Sequence, residues 1–248
     1  MKIAFVTAMH EEFRAAASSL TISASHRIGA YRSCSGSVSG HDIVVIESGI
    51  GLDNAAKATR VLLATMQPDI LISAGFCGGI ATDLDVGAVV VATRLATVSG
   101  NRVDELSIEL AADGYNFVAR QSMSSHRLFG GMFVSTPVIM AKSRIASLLQ
   151  AGTLHPVVEM ESSAIAQIAT ENSIPFVGIR SVSDPACEEL GFSLEEFCDD
   201  QMRIRIPLVL LTIVRKPRII PQLIRLARNS RIAEAALARA IEQFLAFV

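Results

Sequence analysis

The chain has 248 residues, of which 50% are apolar, 19% charged and 5% aromatic, enough length to bury about three quarters of its unfolded surface around one core. Its 22 Lys and Arg against 24 Asp and Glu leave a net charge of −2, so there is no global field to hold nucleic acid or anionic lipid. Mean hydropathy is +0.43, yet charged, Gly or Pro residues break every apolar run well short of the roughly 20 residues of a spanning helix, and no membrane span is expected.

In chain order, Ile3-Ala4-Phe5-Val6 reads as a strand, followed by a loop to Met9 and a helix to about residue 20 that carries Glu11, Glu12 and Arg14. Residues 21–39 hold scattered Ser and Gly without a long apolar run. Ile43-Val44-Val45-Ile46 is a β-branched core strand, broken by Gly49-Ile50-Gly51. Asp53 or Asn54 then caps a helix to about residue 66, which Pro68 stops. Residues 70–74 form an apolar strand that ends in the turn Gly75-Phe76-Cys77-Gly78-Gly79, and residues 86–92 another. Residues 99–127 have no sustained period and read as a surface excursion. Strands follow at 131–135, 155–158 and 174–182, with helices near 142–150 and over 160–172.

Residues 192–214 open a helical tail, interrupted at 215–218 and resumed as two amphipathic stretches, 221–228 and 231–247. The basic residues Arg215, Lys216, Arg218, Arg225, Arg228 and Arg231 suit one wet helix face better than an anionic partner. Continuous apolar strands separated by helices predict an α/β fold with a mostly parallel central sheet flanked by helices on both sides. Without repeats or low-complexity linkers, residues 1–248 read as a single domain with a helical tail from about 215. Cys34, Cys77, Cys187 and Cys198 lie far apart with no CxxC pair, and no basic-plus-apolar segment precedes the first strand, which suits a reducing cytoplasm. The thiols read as small hydrophobes rather than metal or redox ligands.

Acidic residues stand at the ends of three buried strands: Glu11 and Glu12, Glu159 and Glu161 on either side of Met160, and Asp184. On a parallel sheet these ends share one edge, where carboxylates can converge for acid–base work. Taken singly each has an ordinary structural role as well: Glu12 as a first-turn acid, Glu161 as a cap, Asp184 as a turn residue before Pro185. The glycine turns at 49–51 and 75–79 let backbone amides approach a ligand, but neither is a GxGxxG or P-loop.

Together, Lys2 through Glu12, Glu47-Ser48-Gly49-Ile50-Gly51, Gly75 to Gly79, Val158-Glu159-Met160-Glu161-Ser162-Ser163-Ala164-Ile165-Ala166 and Arg180-Ser181-Val182-Ser183-Asp184 resemble the nucleoside phosphorylase superfamily. Within it they are most similar to the methylthioadenosine/S-adenosylhomocysteine nucleosidases. The resemblance implies a purine nucleoside as partner and cleavage of its N-glycosidic bond, with no metal or cofactor and with assembly as a homo-oligomer. By residue, it implies that Asp184 is the acid at purine N7 and that Glu161, with the Met160 backbone, clamps the ribose hydroxyls. It implies likewise that Glu12 is the base that activates water and that Arg180 lies near that water. Phe76, Gly78, Val158, Ser183, Ile139 and Phe197 complete the implied binding set. This division between leaving-group acid and water-activating base is the logic of inverting glycoside hydrolysis.

The chain also departs from the pattern. Phe76 stands where those nucleosidases have a small hydroxyl residue, Val138 or Ile139 replaces the ring that stacks on the base, and Leu194 replaces one near the 5′ substituent, leaving Phe197 as the nearest ring. Two rival readings share the fold: a phosphate-dependent phosphorylase and a non-catalytic nucleoside binder. Phosphate demands cationic or multiple N–H contacts. Phosphorylase relatives often place an Arg two positions before the Gly of the third-strand turn and a Ser just after it; here those positions hold Ser73 and Phe76, and the opening loop carries Met9-His10-Glu11-Glu12. Water is the expected nucleophile. His10 reads as a solvent-facing loop residue.

Overall fold

The structure is a computed structural model, which describes residues 1–121, 127–186 and 220–248. The elements are β1 (Lys2–Thr7), α1 (His10–Ala17), β2 (Thr21–Ile28), β3 (Tyr31–Val38), β4 (His41–Glu47), α2 (Leu52–Leu63), β5 (Ile70–Gly79) and β6 (Val89–Ser99). They continue with β7 (Arg102–Glu105), α3 (Ala112–Gln121), β8 (Leu128–Ser135), α4 (Lys142–Leu148), β9 (Val157–Glu159), α5 (Ser162–Glu171), β10 (Phe176–Asp184) and α6 (Ile220–Leu245).

One sheet runs through all ten strands, and part of it closes on itself. Strand β5 pairs with β10 and with β9, while β10–β6, β6–β8 and β8–β9 complete a ring. From β5 the sheet continues as β1–β4–β3–β2, with β7 attached to β6. The expectation of a mostly parallel sheet is corrected: the sheet is mixed. β1–β4, β1–β5, β5–β10, β6–β8 and β8–β9 are parallel, whereas β2–β3, β3–β4, β5–β9, β6–β7 and β6–β10 are antiparallel. The physical reason is that an apolar strand reports cover on both faces, and that cover is the same whichever way its neighbour runs.

Alternate residues of β1 divide the core. Ile3 and Phe5 join a cluster with Phe13 and Ala16 of α1 and Leu237, Ile241 and Phe244 of α6. Ala4 and Val6 face the other way, into a cluster with Ala55, Ala58 and Leu62 of α2 and Ile165, Ala166 and Ala169 of α5. A strand with both side-chain rows buried carries no polar alternation, which is why β5 is buried along its whole length.

Three further expectations change. Residues 99–127 contain β7 and α3, and Phe117 is fully buried, edge-on to Phe244 at 5.3 Å and beside Phe247 at 5.7 Å. The two amphipathic stretches after residue 221 are one continuous helix, α6. The cap of α2 is Gly51, at φ 102°, rather than Asp53 or Asn54; a side chain is strained at such a φ, and the conformation aims the Gly51 amide toward the site described below. The expected helical segment at 192–214 lies outside the described residues.

Candidate active site

The end of β1 delivers Glu12. Met9 is the N-cap of α1, and Glu12, third in the helix, folds back so that Oε2 accepts the amides of Ala8 at 2.8 Å and Met9 at 3.0 Å. Oε1 accepts the Phe76 amide from β5 at 2.7 Å. With 3% of its surface exposed, Glu12 is pushed above the usual carboxylate range by burial, against the pull of Arg180 and the three amides. The Phe76 ring packs into the α1–α6 side of the core, so its backbone is what serves the site.

Arg180 lies opposite Gly75 in the parallel β10–β5 register. A Cβ at Gly75 would overlap Arg180 Nη1 and fall 2.7 Å from Glu12 Oε1, so only glycine lets the two charges pass over β5. Arg180 Nη2 is 2.7 Å from Glu159 Oε2, 3.3 Å from Glu161 Oε2, and 3.1 Å from both Ser73 Oγ and Ser162 Oγ. Glu159 also accepts the amides of Glu161 at 3.0 Å and Ser162 at 2.7 Å and the Ser135 hydroxyl, while Glu161 Oε1 accepts the Gly51 amide at 2.9 Å. The β9–α5 junction therefore turns two carboxylates onto one guanidinium, and Glu12, from the first turn of α1, lies beside it over Gly75.

Burial would raise both glutamates, but they divide. Arg180, Ser135 and the Ser162 amide outweigh burial at Glu159 and hold it below its ordinary range. Glu161 is pushed up to about 7 by burial, with Glu159 and Glu12 adding like-charge repulsion against Arg180. Arg180 itself is held protonated more firmly than usual, because the surrounding carboxylates overcome its burial.

Asp184 ends β10, beyond a register shift after Val182, opposite Gly78. A Cβ at Gly78 would stand 3.0 Å from Asp184 Oδ2, 3.0 Å from Val158 Cγ1 and 3.3 Å from Lys142 Cδ. Asp184 Oδ1 accepts the Ser183 hydroxyl at 2.8 Å, and Oδ2 pairs with Lys142 Nζ at 2.9 Å. Gly75 and Gly78 are three residues apart on β5, so the backbone positions opposite Arg180 and Asp184 are about 10 Å apart along the strand.

The structure thus brings Glu12, Glu161 and Arg180 into one cluster, and Asp184, Ser183, Gly78 and Val158 into a second on the same strand pair. Met160, half-buried, lies between the two clustered glutamates in sequence. Ile139 is 38% exposed in the loop between β8 and α4. Phe197 and Leu194 lie outside the described residues. Sequence reading passed over Lys142, Ser135 and Ser162, and gave Glu159 no role. The Val158-Glu159-Met160-Glu161 block was the available signal for Glu159; an isolated Lys at a helix start offers none.

The family model for the phosphorylase superfamily matches residues 2–215. The chain belongs to this superfamily. It is 33% identical over 214 residues to a 5′-methylthioadenosine/S-adenosylhomocysteine nucleosidase of Actinobacillus succinogenes, covering 79% of this chain and 91% of that one. A nucleosidase of the same name from Bacillus thuringiensis is 29% identical over 218 residues, 80% and 92% of the two chains. Among solved structures, that nucleosidase from Neisseria meningitidis in complex with methylthio-immucillin-A superposes with a TM-score of 0.74 at 22% identity, over 100% of this chain and 99% of that one. Futalosine hydrolase of Helicobacter pylori gives 0.71 at 16% identity, over 98% and 97%. These two structural likenesses show the shared fold.

Proposed function

We propose that the protein is an N-ribosyl hydrolase that splits the N-glycosidic bond of a purine nucleoside modified at its 5′ position, in the manner of methylthioadenosine and S-adenosylhomocysteine. The observation that carries this reading is the convergence of Glu12 and Glu161, from separate strand ends, on Arg180, with Asp184 farther along the same strand pair. The names of the relatives at 33% and 29% identity support it.

Glu12 takes a proton from a water that attacks the anomeric carbon. Its carboxylate is fixed by three backbone amides, and its raised affinity for a proton suits a base working near neutral pH. Glu161 accepts hydrogen bonds from the ribose hydroxyls and, in the ionised form that it gains as pH rises through about 7, stabilises the positive character on the sugar as the C–N bond lengthens. Asp184, in its protonated form, gives a proton to purine N7 as the C–N bonding pair passes to the base, so that the base leaves neutral; the proton that Glu12 takes from water returns to Asp184 through solvent. Arg180 keeps three buried carboxylates compatible with one another. Phosphate would meet an excess of negative charge here, since Glu12, Glu159 and Glu161 surround one guanidinium, and this favours water as the nucleophile.

Assembly as a homo-oligomer belongs to the same reading, supported by exposed Val138, Ile139 and Leu154. So do a single domain and residence in the cytoplasm, the latter supported by separated thiols. Among the described residues no helix is long and apolar enough to cross a membrane. The test is to incubate the protein with methylthioadenosine, S-adenosylhomocysteine, adenosine and inosine, with and without phosphate, and chromatograph the free base. Release without phosphate is expected, falling about 10²-fold in Asp184→Asn; release only with phosphate, or an unaffected Asp184→Asn, contradicts the reading.

A further inference from the structure

Lys142 is 7% exposed although it opens helix α4. An ammonium there is costly twice over, because burial removes its hydration and the start of a helix disfavours a cation. What offsets this is confined to the end of β10. Nζ lies 2.9 Å from Asp184 Oδ2, 3.3 Å from the Asp184 carbonyl and 2.6 Å from the Pro185 carbonyl. An ammonium has three N–H donors, and all three are matched by this two-residue stretch.

The stretch needs such a tie. The β10–β5 register slips between Val182 and Asp184, and Pro185 has no N–H to continue the ladder. Lys142 donates to the Asp184 and Pro185 carbonyls at this irregular strand end, and the same ammonium fixes the Asp184 carboxylate over Gly78 while Ser183 fixes the other oxygen. A local rule broken at this cost beside a reacting group is the pattern of a functional position.

We propose that Lys142 is a positioning residue for the leaving base: its ammonium anchors the strand end and aims Asp184 at the purine. This inference rests on the proposed role of Asp184. No proton leaves Lys142 in the reaction: its three donors stay on Asp184 and Pro185 while a proton carried on Asp184 Oδ1 passes to purine N7, the C–N bonding pair passes to the base, and the proton of the attacking water passes to Glu12 and returns to Asp184 through solvent.

The test compares two substrates in Lys142→Met. Methylthioadenosine has a leaving base that needs help; 4-nitrophenyl β-D-ribofuranoside has a leaving group that departs without protonation. Expected is a fall of about 10²-fold in kcat on the nucleoside, with KM within about threefold of wild type and the nitrophenyl riboside cleaved at close to the wild-type rate. Adding Lys142→Met to Asp184→Asn should bring little further loss, since both act on the same step. Equal loss on both substrates marks Lys142 as merely structural and overturns the inference, as does wild-type kcat on the nucleoside. Should Lys142→Met not fold, Lys142→Gln carries the same comparison with a neutral donor of similar reach. A wild-type protein that releases nothing from either substrate removes the nucleosidase reading itself, a failure distinct from that of Lys142 alone.

Discussion

Glu12, Glu159 and Glu161 crowd a single guanidinium where water scarcely reaches, so ionising all three leaves uncompensated negative charge in a buried space. The cluster resolves this by holding a proton, and Glu161 takes it, with its affinity pushed up to about 7. Its ordinary value is 4.5, so the folded state binds that proton more tightly than the unfolded chain does. The resulting stability is fully present below about 4.5 and is lost as pH rises through about 7. Glu12 is raised too and acts in the same direction, whereas Glu159 is lowered and its contribution is lost only on acidification. The denaturant midpoint of the wild-type protein should therefore carry a component that falls between about pH 5 and 8. Glu161→Gln should flatten that fall; an unchanged slope contradicts the assignment. Arg180→Met leaves the carboxylates without their cation and should cost about 3–5 kcal/mol at neutral pH in denaturant titrations. A loss under about 1 kcal/mol would contradict the account of Arg180 as the cluster's keystone.

At the scale of elements, the site is built from the places where regular structure ends or thins. The loop after β1 turns Glu12 inward, the Gly51 cap of α2 offers its amide to Glu161, and β5 carries glycine where Arg180 and Asp184 cross it. Gly75→Ala should therefore displace Arg180 and Glu12 together and lower kcat/KM about 10²-fold, because small misplacements at a reacting centre carry such effects; near-wild-type kcat/KM would show that the crossing over β5 is not as tight as described. The α3–α6 clasp makes a separate prediction. Phe244→Ala removes the ring that meets Phe117 edge-on in a fully buried contact and should destabilise the fold by about 3–5 kcal/mol in chemical denaturation. A cost near zero would mean that α6 is not part of the folding core.

Which elements sequence could reveal follows from the same physics. Strands β1, β4, β10 and the first half of β5 are apolar because both their faces are covered, and they read plainly; residues 75–79, expected as a turn because of their glycines, continue β5, the glycines leaving room for Arg180 and Asp184. β2 is exposed along nearly its whole length and shows neither alternation nor a run, so residues 21–39 gave no strand. Residues 99–127 hide α3 because its anchor, Phe117, meets partners at the far end of the chain. Asn229 and Ser230 suggested a break in α6, yet the helix continues through both, since packing of Ala233, Leu237, Ile241 and Phe244 overrides local preference.

Across the whole molecule, closure of β5, β10, β6, β8 and β9 removes free edges from the part of the sheet that carries the site. It also explains how the chemistry was partly readable. Glu161 and Asp184 stand at or just past strand ends, Glu12 in the helix turn that follows β1 and Arg180 within β10, and the resemblance supplied their roles. Strand direction and ring closure leave no trace in composition or period, and Lys142 owes its meaning to a helix start that only the folded chain places beside Asp184.

The central claim is that this assembly directs water onto the sugar–base bond. The most direct test is to run the reaction with methylthioadenosine in oxygen-18-labelled water and weigh the products by mass spectrometry. The account predicts one labelled oxygen in the ribosyl fragment and none in the free adenine, with formation of both products lost in Glu12→Gln. A ribosyl phosphate, or a sugar released without the label, would contradict it.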